Sequence, residues 1–143
     1  MSAEIRNLNP KLGEECGGMN RGTQRAELGA LGERLAAEHL ERQGYRILER
    51  NFRCRMGEID LIARRGNDLV FVEVKLRKDA SHGEAREFVT ASKQRKLLLT
   101  AEYYLSARPW AQDLQARFDV IEVYAPRGTE EGCTVRQLEN AFS

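Results

Sequence analysis

The run Leu69-Val70-Phe71-Val72-Glu73-Val74-Lys75-Leu76 constrains the fold more than any other part of the chain. Side chains of a strand alternate between faces, so Val70, Val72, Val74 and Leu76 share one face and Leu69, Phe71, Glu73 and Lys75 the other. An acid and an amine therefore stand beside a phenylalanine. A second strand-like run, residues 59–64, carries Asp60, and Arg65-Gly66-Asn67-Asp68 between the two runs is a turn-rich connection typical of a hairpin. If Arg64 pairs with Leu69, Ile62 falls opposite Phe71, Asp60 opposite Glu73 and Glu58 opposite Lys75. Cross-strand partners have Cβ atoms ~5 Å apart, so two carboxylates are expected to converge with an ammonium beside them.

Two carboxylates so placed repel each other, and one pKa rises, unless positive charge lies between them. A divalent cation meets that need, because Mg²⁺ takes oxygen ligands and is commonly held by one or two carboxylates with waters and a substrate phosphate. Lys75 would then orient or activate an attacking water, or offset charge on a phosphoryl oxygen. The competing reading is an ordinary Glu–Lys pair on a solvated strand face. Ile62, Leu69 and Phe71 on the same face weigh against it.

At 143 residues the chain suits one domain with a single core, expected over residues 22–143. Residues 1–21, with Gly13, Gly17 and Gly18, read as a flexible tail. No apolar run approaches the ~20 residues that span a bilayer, and the first residues lack a hydrophobic signal segment, so the expectation is a cytoplasmic protein with no membrane partner. Cys16, Cys54 and Cys133 have no C-x-x-C spacing and read as free thiols. With only two histidines, His39 and His82, a His-rich metal site or a Ser-His-Asp triad is a poor reading. His39 reads as structural and His82 as a loop residue that touches substrate or nothing.

Charge supplies the second lead. The net charge is only +1, yet residues 42–96 hold 14 Lys/Arg against 8 Asp/Glu, while the remainder holds 9 against 14. Basic side chains crowd both sides of the carboxylates, and phosphate backbones are bound by such surfaces. Scattered solvated charges are the alternative. Arg53, Arg55, Arg77, Lys93, Gln94 and Arg95 are the residues expected to contact nucleic acid.

Along the chain, Leu28, Leu31 and Leu35 recur at helical steps over residues 23–43, and Gly44 stops the run. A second stripe of Ala26, Gly29, Ala30, Ala36, Ala37 and Leu40 surrounds Glu33, which is expected either to turn inward with a partner or to pair with an arginine nearby. Residues 45–53 form a first strand, followed by the hairpin; residues 78–86 form a polar loop. Thr90 caps a helix over residues 91–107, with Leu97, Leu98, Ala101, Tyr104 and Leu105 as its buried stripe. Residues 117–124 form a further strand and residues 134–138 a short edge strand. The order is αβββαβ, an α/β domain with a mixed sheet flanked by helices.

That order, with Asp60, Glu73 and Lys75 spaced as they are, resembles the restriction-endonuclease-like, or PD-(D/E)xK, nuclease superfamily. Leu31-Gly32-Glu33, Gly44-Tyr45, Gly57-Glu58-Ile59-Asp60-Leu61-Ile62-Ala63, Phe71-Val72-Glu73-Val74-Lys75, Val89-Thr90, Lys93-Gln94-Arg95 and Arg117-Phe118-Asp119-Val120 more closely resemble the YraN family of bacterial proteins. The resemblance implies a fold shared with archaeal Holliday-junction resolvases and a metal-dependent nuclease chemistry on DNA, branched DNA included. It implies Asp60 and Glu73 as ligands of Mg²⁺ or Mn²⁺, Lys75 as the residue assisting the attacking water, and Glu33 as the acid completing the metal and catalytic site from the first helix. Nucleic acid is the implied partner, and a homodimer is left open. Leu76 stands where the family commonly has Thr, Ala91 where Pro is frequent, and Ile59 rather than Pro precedes Asp60. None of these departures removes a ligand, although Leu76 lacks a hydroxyl for phosphate. The alternatives are a non-catalytic nucleic-acid-binding module of the same fold and an interaction protein with no nucleic-acid role; the latter leaves the Asp60, Glu73, Lys75 grouping without a purpose.

Overall fold

The leucine repeat of the first helix ends where a backbone turn outside the reach of most L residues is needed. Helix α1 spans Arg21–Arg42, and Gly44, at φ +94°, lets the Gly44 and Tyr45 amides fold back onto the Glu41 and Leu40 carbonyls at 3.0 and 2.9 Å. The chain continues through β1 (Arg46–Cys54), β2 (Gly57–Arg65), β3 (Asp68–Arg77), α2 (Ala91–Ser106), a 3-10 turn (Pro109–Ala111), β4 (Gln115–Tyr124) and β5 (Thr134–Phe142). The computed structural model describes residues 21–79 and 89–142. The expected tail, save Arg21, and most of the expected polar loop with His82 lie outside the described residues.

The five strands lie in the order β1-β2-β3-β4-β5, with β3 and β4 parallel and every other pair antiparallel. This mixed sheet with a helix on either face matches the expected restriction-endonuclease-like αβββαβ core, with β5 longer than the edge strand read from sequence. The parallel pair needs a crossover, and α2 supplies it. None of the described helices is long and apolar enough to cross a membrane.

The single core expected from the chain's length is instead two, because the alternation within residues 69–76 packs each face of the strand under its own helix. Val70 and Val72 pack under α1 with Leu35, Ala36, Ala37, Leu40, Leu61 and Ile121, while Leu69 and Phe71 pack under α2 with Ile62, Leu97, Ala101 and Tyr104. A strand covered on both faces cannot expose Glu73 and Lys75 as a plain surface pair would. The two acids and their amines are held at the rim where the second core opens.

Three local expectations change. On α1, Ala26, Gly29 and Ala30 are exposed. The close approach to the sheet occurs instead at Gly32, where a Cβ would lie 3.3 Å from the Leu76 Cβ. On α2, Leu98 is 45% exposed and Thr100 takes the inward place. Thr100 is tolerated there because its hydroxyl donates to the Lys96 carbonyl at 2.7 Å. The hairpin is tighter than expected, with Arg65 paired to Asp68 across a two-residue Gly66-Asn67 turn. The Thr90 cap forms as expected, its hydroxyl oxygen accepting the Lys93 N–H at 3.2 Å.

Candidate active site

The β2–β3 ladder begins in the expected register, with Arg64 opposite Leu69 and Ile62 opposite Phe71. Among the described residues its pairs run no further than Leu61 opposite Val72. Asp60 and Glu73, and Glu58 and Lys75, are therefore not ladder partners. The reason is chemical: Asp60 Oδ2 accepts the Val74 N–H at 2.8 Å, so a carboxylate takes a hydrogen-bonding group of the site-bearing strand just where the ladder ends. Asp60 and Glu73 nonetheless reach the same place. Both line a cleft of about 510 Å³ together with Gly57, Glu58, Thr90, Lys93 and Lys96, between the β2–β3 end of the sheet and the first turn of α2.

Glu73 is only 5% exposed, and two ammoniums compensate it: Lys93 Nζ at 2.8 Å and Lys75 Nζ at 3.6 Å, both from Oε2. Lys93 is held above the usual lysine range. Burial, the largest single influence, opposes its charge, but the bond to Glu73 and the charges of Glu73, Asp60 and Glu58 outweigh it. Among the described residues, Asp60 has only the Val74 N–H as a hydrogen-bond donor. Burial and then the neighbouring Glu73 charge push its carboxyl up to about 7, against that hydrogen bond. Negative charge in the cleft thus exceeds what the fixed dipoles around Asp60 satisfy.

Glu33 lies half-buried on α1 and accepts a hydrogen bond from the Asn51 side chain. Burial raises its pKa first, with Glu58 adding and the Asn51 bond, Arg53 and Arg50 opposing. Its charge is also felt by Asp60. Asn51 sits in β1 at φ +55°, between the pairs Arg50–Leu61 and Phe52–Ile59, the stretch of β1 that runs alongside Asp60. Asparagine tolerates that conformation better than most residues, and an asparagine interrupting a strand-like pattern was the only sequence signal for this contact.

The six residues read as nucleic-acid contacts separate into two sets. Arg53, Arg55 and Arg95 are exposed, Arg53 with Glu58 at 3.5 Å. The other three are engaged within the fold. Arg77 is 11% exposed and holds Glu122 at 2.7 Å, the Gln94 amide donates to the Val89 carbonyl at 2.9 Å, and Lys93 is on Glu73. Lys96, Thr90 and Ser92, not singled out from sequence as site residues, face the cleft from α2. Their signal was position, since Thr90 is the cap and Ser92, Lys93 and Lys96 follow it within two turns.

Among the described residues no three His, Cys, Asp or Glu side chains are arranged to hold a metal ion by themselves. Three acids line the cleft, of which Glu58 is exposed and paired with Arg53, leaving Asp60 and Glu73 as the inner pair, with Glu33 a neighbouring charge. A pair suffices for Mg²⁺ or Mn²⁺ if waters and substrate oxygens fill the remaining positions. The excess charge at Asp60 is the property a dication would relieve, so the donor set fits such an ion.

Residues 32–123 match the model of the Uncharacterised protein family UPF0102. A UPF0102 protein of Syntrophotalea carbinolica is 51% identical over 119 residues, covering 83% of this chain and 94% of its own. One of Caldicellulosiruptor saccharolyticus is 47% identical over 116 residues, 81% of this chain and 97% of its own. One of Syntrophus aciditrophicus is 43% identical over 122 residues, 85% and 93%. The matched segments include every acid and amine of the cleft described above.

Proposed function

Since the chain belongs to the UPF0102 family and carries a charged cleft in a restriction-endonuclease-like core, we propose that it is a metal-dependent nuclease hydrolysing phosphodiester bonds of DNA, branched DNA included. The observation that carries this reading is the Asp60–Glu73 pair, two acids in one open cleft with Lys75 and Lys93 beside them. Asp60 and Glu73 would hold Mg²⁺ or Mn²⁺. The bound ion would supply Lewis acidity and a more acidic water. Lys75, two residues after Glu73 on the same strand and 3.6 Å from its carboxylate, would orient the attacking water or offset charge on a phosphoryl oxygen. The first turn of α2 opens on the cleft, and a helix N-terminus favours phosphate through its free N–H groups and dipole. Arg53, Arg55 and Arg95 would bind flanking phosphates as diffuse positive charge.

The test is incubation of purified protein with linear and branched DNAs in Mn²⁺, Mg²⁺ or EDTA, alongside Asp60→Ala and Glu73→Ala. Cleavage dependent on the metal and lost in both variants is expected. DNA affinity should hold or tighten in them, because each change removes a negative charge facing a polyanion. Full activity in either variant would remove that residue from the ligand set, and binding without cleavage by the parent protein would leave a nucleic-acid-binding module. Affinity should also fall with salt, by a log–log slope of about −0.9 per phosphate contacted on duplex DNA.

A further inference from the structure

Lys75 and Lys93 both compensate Glu73, but they are tethered differently. Lys75 leaves β3 two residues after Glu73 on the same face, so the sheet holds it beside the acid. Lys93 reaches in from the first turn of α2, makes the shorter contact, 2.8 Å against 3.6 Å, and still keeps 43% of its side chain exposed. Rotation about its own side-chain bonds carries its ammonium from Glu73 into the open cleft without moving either element. Lys75, at 30% exposure and fixed to the strand, has less freedom.

The charges in the cleft make this difference matter. Glu73 is too buried to be left without a counter-charge, and the two lysines supply it when no other cation is present. A dication on Asp60 and Glu73 would add two positive charges within a few ångströms of both ammoniums. Like charges that close in a partly desolvated cleft repel strongly, and the group freer to leave is the more exposed one, Lys93.

Resting on the metal-dependent reading above, we propose that Lys93 is a resident counter-ion of the cation site: its ammonium occupies Glu73 when the site is without metal and gives way when a divalent cation binds, which frees it for a substrate phosphate. Lys93 is then a positioning residue that couples cation loading to phosphate binding, and Lys75 remains beside Glu73 in both states.

The experiment is calorimetric titration with Mn²⁺, and thermal unfolding in EDTA and in saturating Mn²⁺, of the parent protein, Lys93→Met and Lys75→Met. Methionine keeps the apolar stem and removes the charge. Lys93→Met is expected to bind Mn²⁺ on the order of tenfold more tightly, the gain from removing a competing positive charge. Its midpoint in EDTA should fall below the parent's, and its rise on adding Mn²⁺ should be larger. Lys75→Met should tighten binding less. Unchanged or weaker Mn²⁺ affinity in Lys93→Met, with the parent binding Mn²⁺, overturns the counter-ion role and leaves the nuclease reading standing, as does a larger tightening in Lys75→Met. If neither the parent nor Lys93→Met binds Mn²⁺ or Mg²⁺, both proposals fall together. Lys93→Gln, which keeps a hydrogen-bond donor for Glu73, takes the place of the methionine variant if that variant does not fold.

Discussion

Asp119 on β4 and Glu73 on β3 lie one register step apart, Asp119 opposite Val72 and Glu73 opposite Val120, on opposite faces of the sheet. Both are buried. On the α1 side, Asp119 accepts from Arg117 Nε at 2.9 Å and Nη2 at 3.2 Å, from Gln137 Nε2 at 2.7 Å and from the Asn140 N–H at 2.9 Å. Those partners are themselves fixed: Arg117 donates to the Tyr45 hydroxyl at 2.7 Å, and the Gln137 amide oxygen meets His39 Nε2 at 3.0 Å. Even the backbone is bent to serve it. The β4–β5 register shifts between Phe118 and Val120, and Asn140 takes φ +54°. On the α2 side, Glu73 is met by two lysines and Asp60 by one N–H among the described residues, and both acids border a cleft together with Lys93. A carboxylate saturated by rigid donors locks strands and helix together, whereas carboxylates met by part-exposed ammoniums remain available to a ligand. The same sheet uses one face for each.

Removing one acid from each side should separate the two roles. Asp119→Ala removes the buried acid on which Arg117, Gln137 and the Asn140 N–H converge, leaving Arg117 only the Asp68 and Glu139 carboxylates at 3.8 Å as counter-charges among the described residues, and is expected to cost roughly 3–5 kcal/mol, a fall of the melting midpoint on the order of 10 °C or more. Asp60→Ala relieves repulsion with Glu73 but leaves the Val74 N–H without its acceptor, so the metal-free protein should lose no more than about 1 kcal/mol. Thermal unfolding of both in EDTA measures the contrast, and a large loss in Asp60→Ala would mean that the cleft acids are structural after all.

The two faces should also differ in their response to pH. Folding raises the Asp60 carboxyl from 3.8 to about 7, so the folded state binds its proton more tightly. The stability this supplies is complete below about pH 4 and is lost as pH rises through about 7, at about 1.4 kcal/mol for each pH unit between those limits. Melting midpoints of the metal-free protein should therefore show a contribution that declines across that window. Asp60→Asn should remove it, and saturating Mn²⁺ should reverse its sign by favouring the ionised form.

Glu33→Gln asks whether α1 contributes to the cleft. Glutamine still accepts from Asn51, so the midpoint should change by less than that of a ~1 kcal/mol substitution, while metal-dependent cleavage drops about tenfold or more if the charge is used. Equal and small losses in both would make Glu33 a packing residue.

The smallest effects concern how α1 approaches the sheet. Gly29→Ala meets nothing within 4 Å and should gain about 0.5–1 kcal/mol from helix propensity. Gly32→Ala should forfeit that gain, because its Cβ would press on Leu76 at 3.3 Å. Chemical denaturation resolves the pair.

Much of this arrangement was legible in the chain because it depends on neighbours a few residues away. Strand alternation assigned residues 69–76 to two faces, Thr90 and Gly44 marked helix ends, and the hairpin register followed from its turn. The acids that share the cleft could be paired from sequence because a hairpin joins their strands. The counter-charges could not. Lys93 meets Glu73, Arg77 meets Glu122 and Asp119 gathers Arg117, Gln137 and Asn140 only once α2 and the parallel β4 are docked. Nothing in the local pattern tells a lysine that binds phosphate from one that neutralises a buried acid. Periodicity acts through the backbone over a turn or a strand, and so it is written in the sequence; the choice among many possible ion-pair partners is made by distance and desolvation, which exist only after the helices have settled on the sheet.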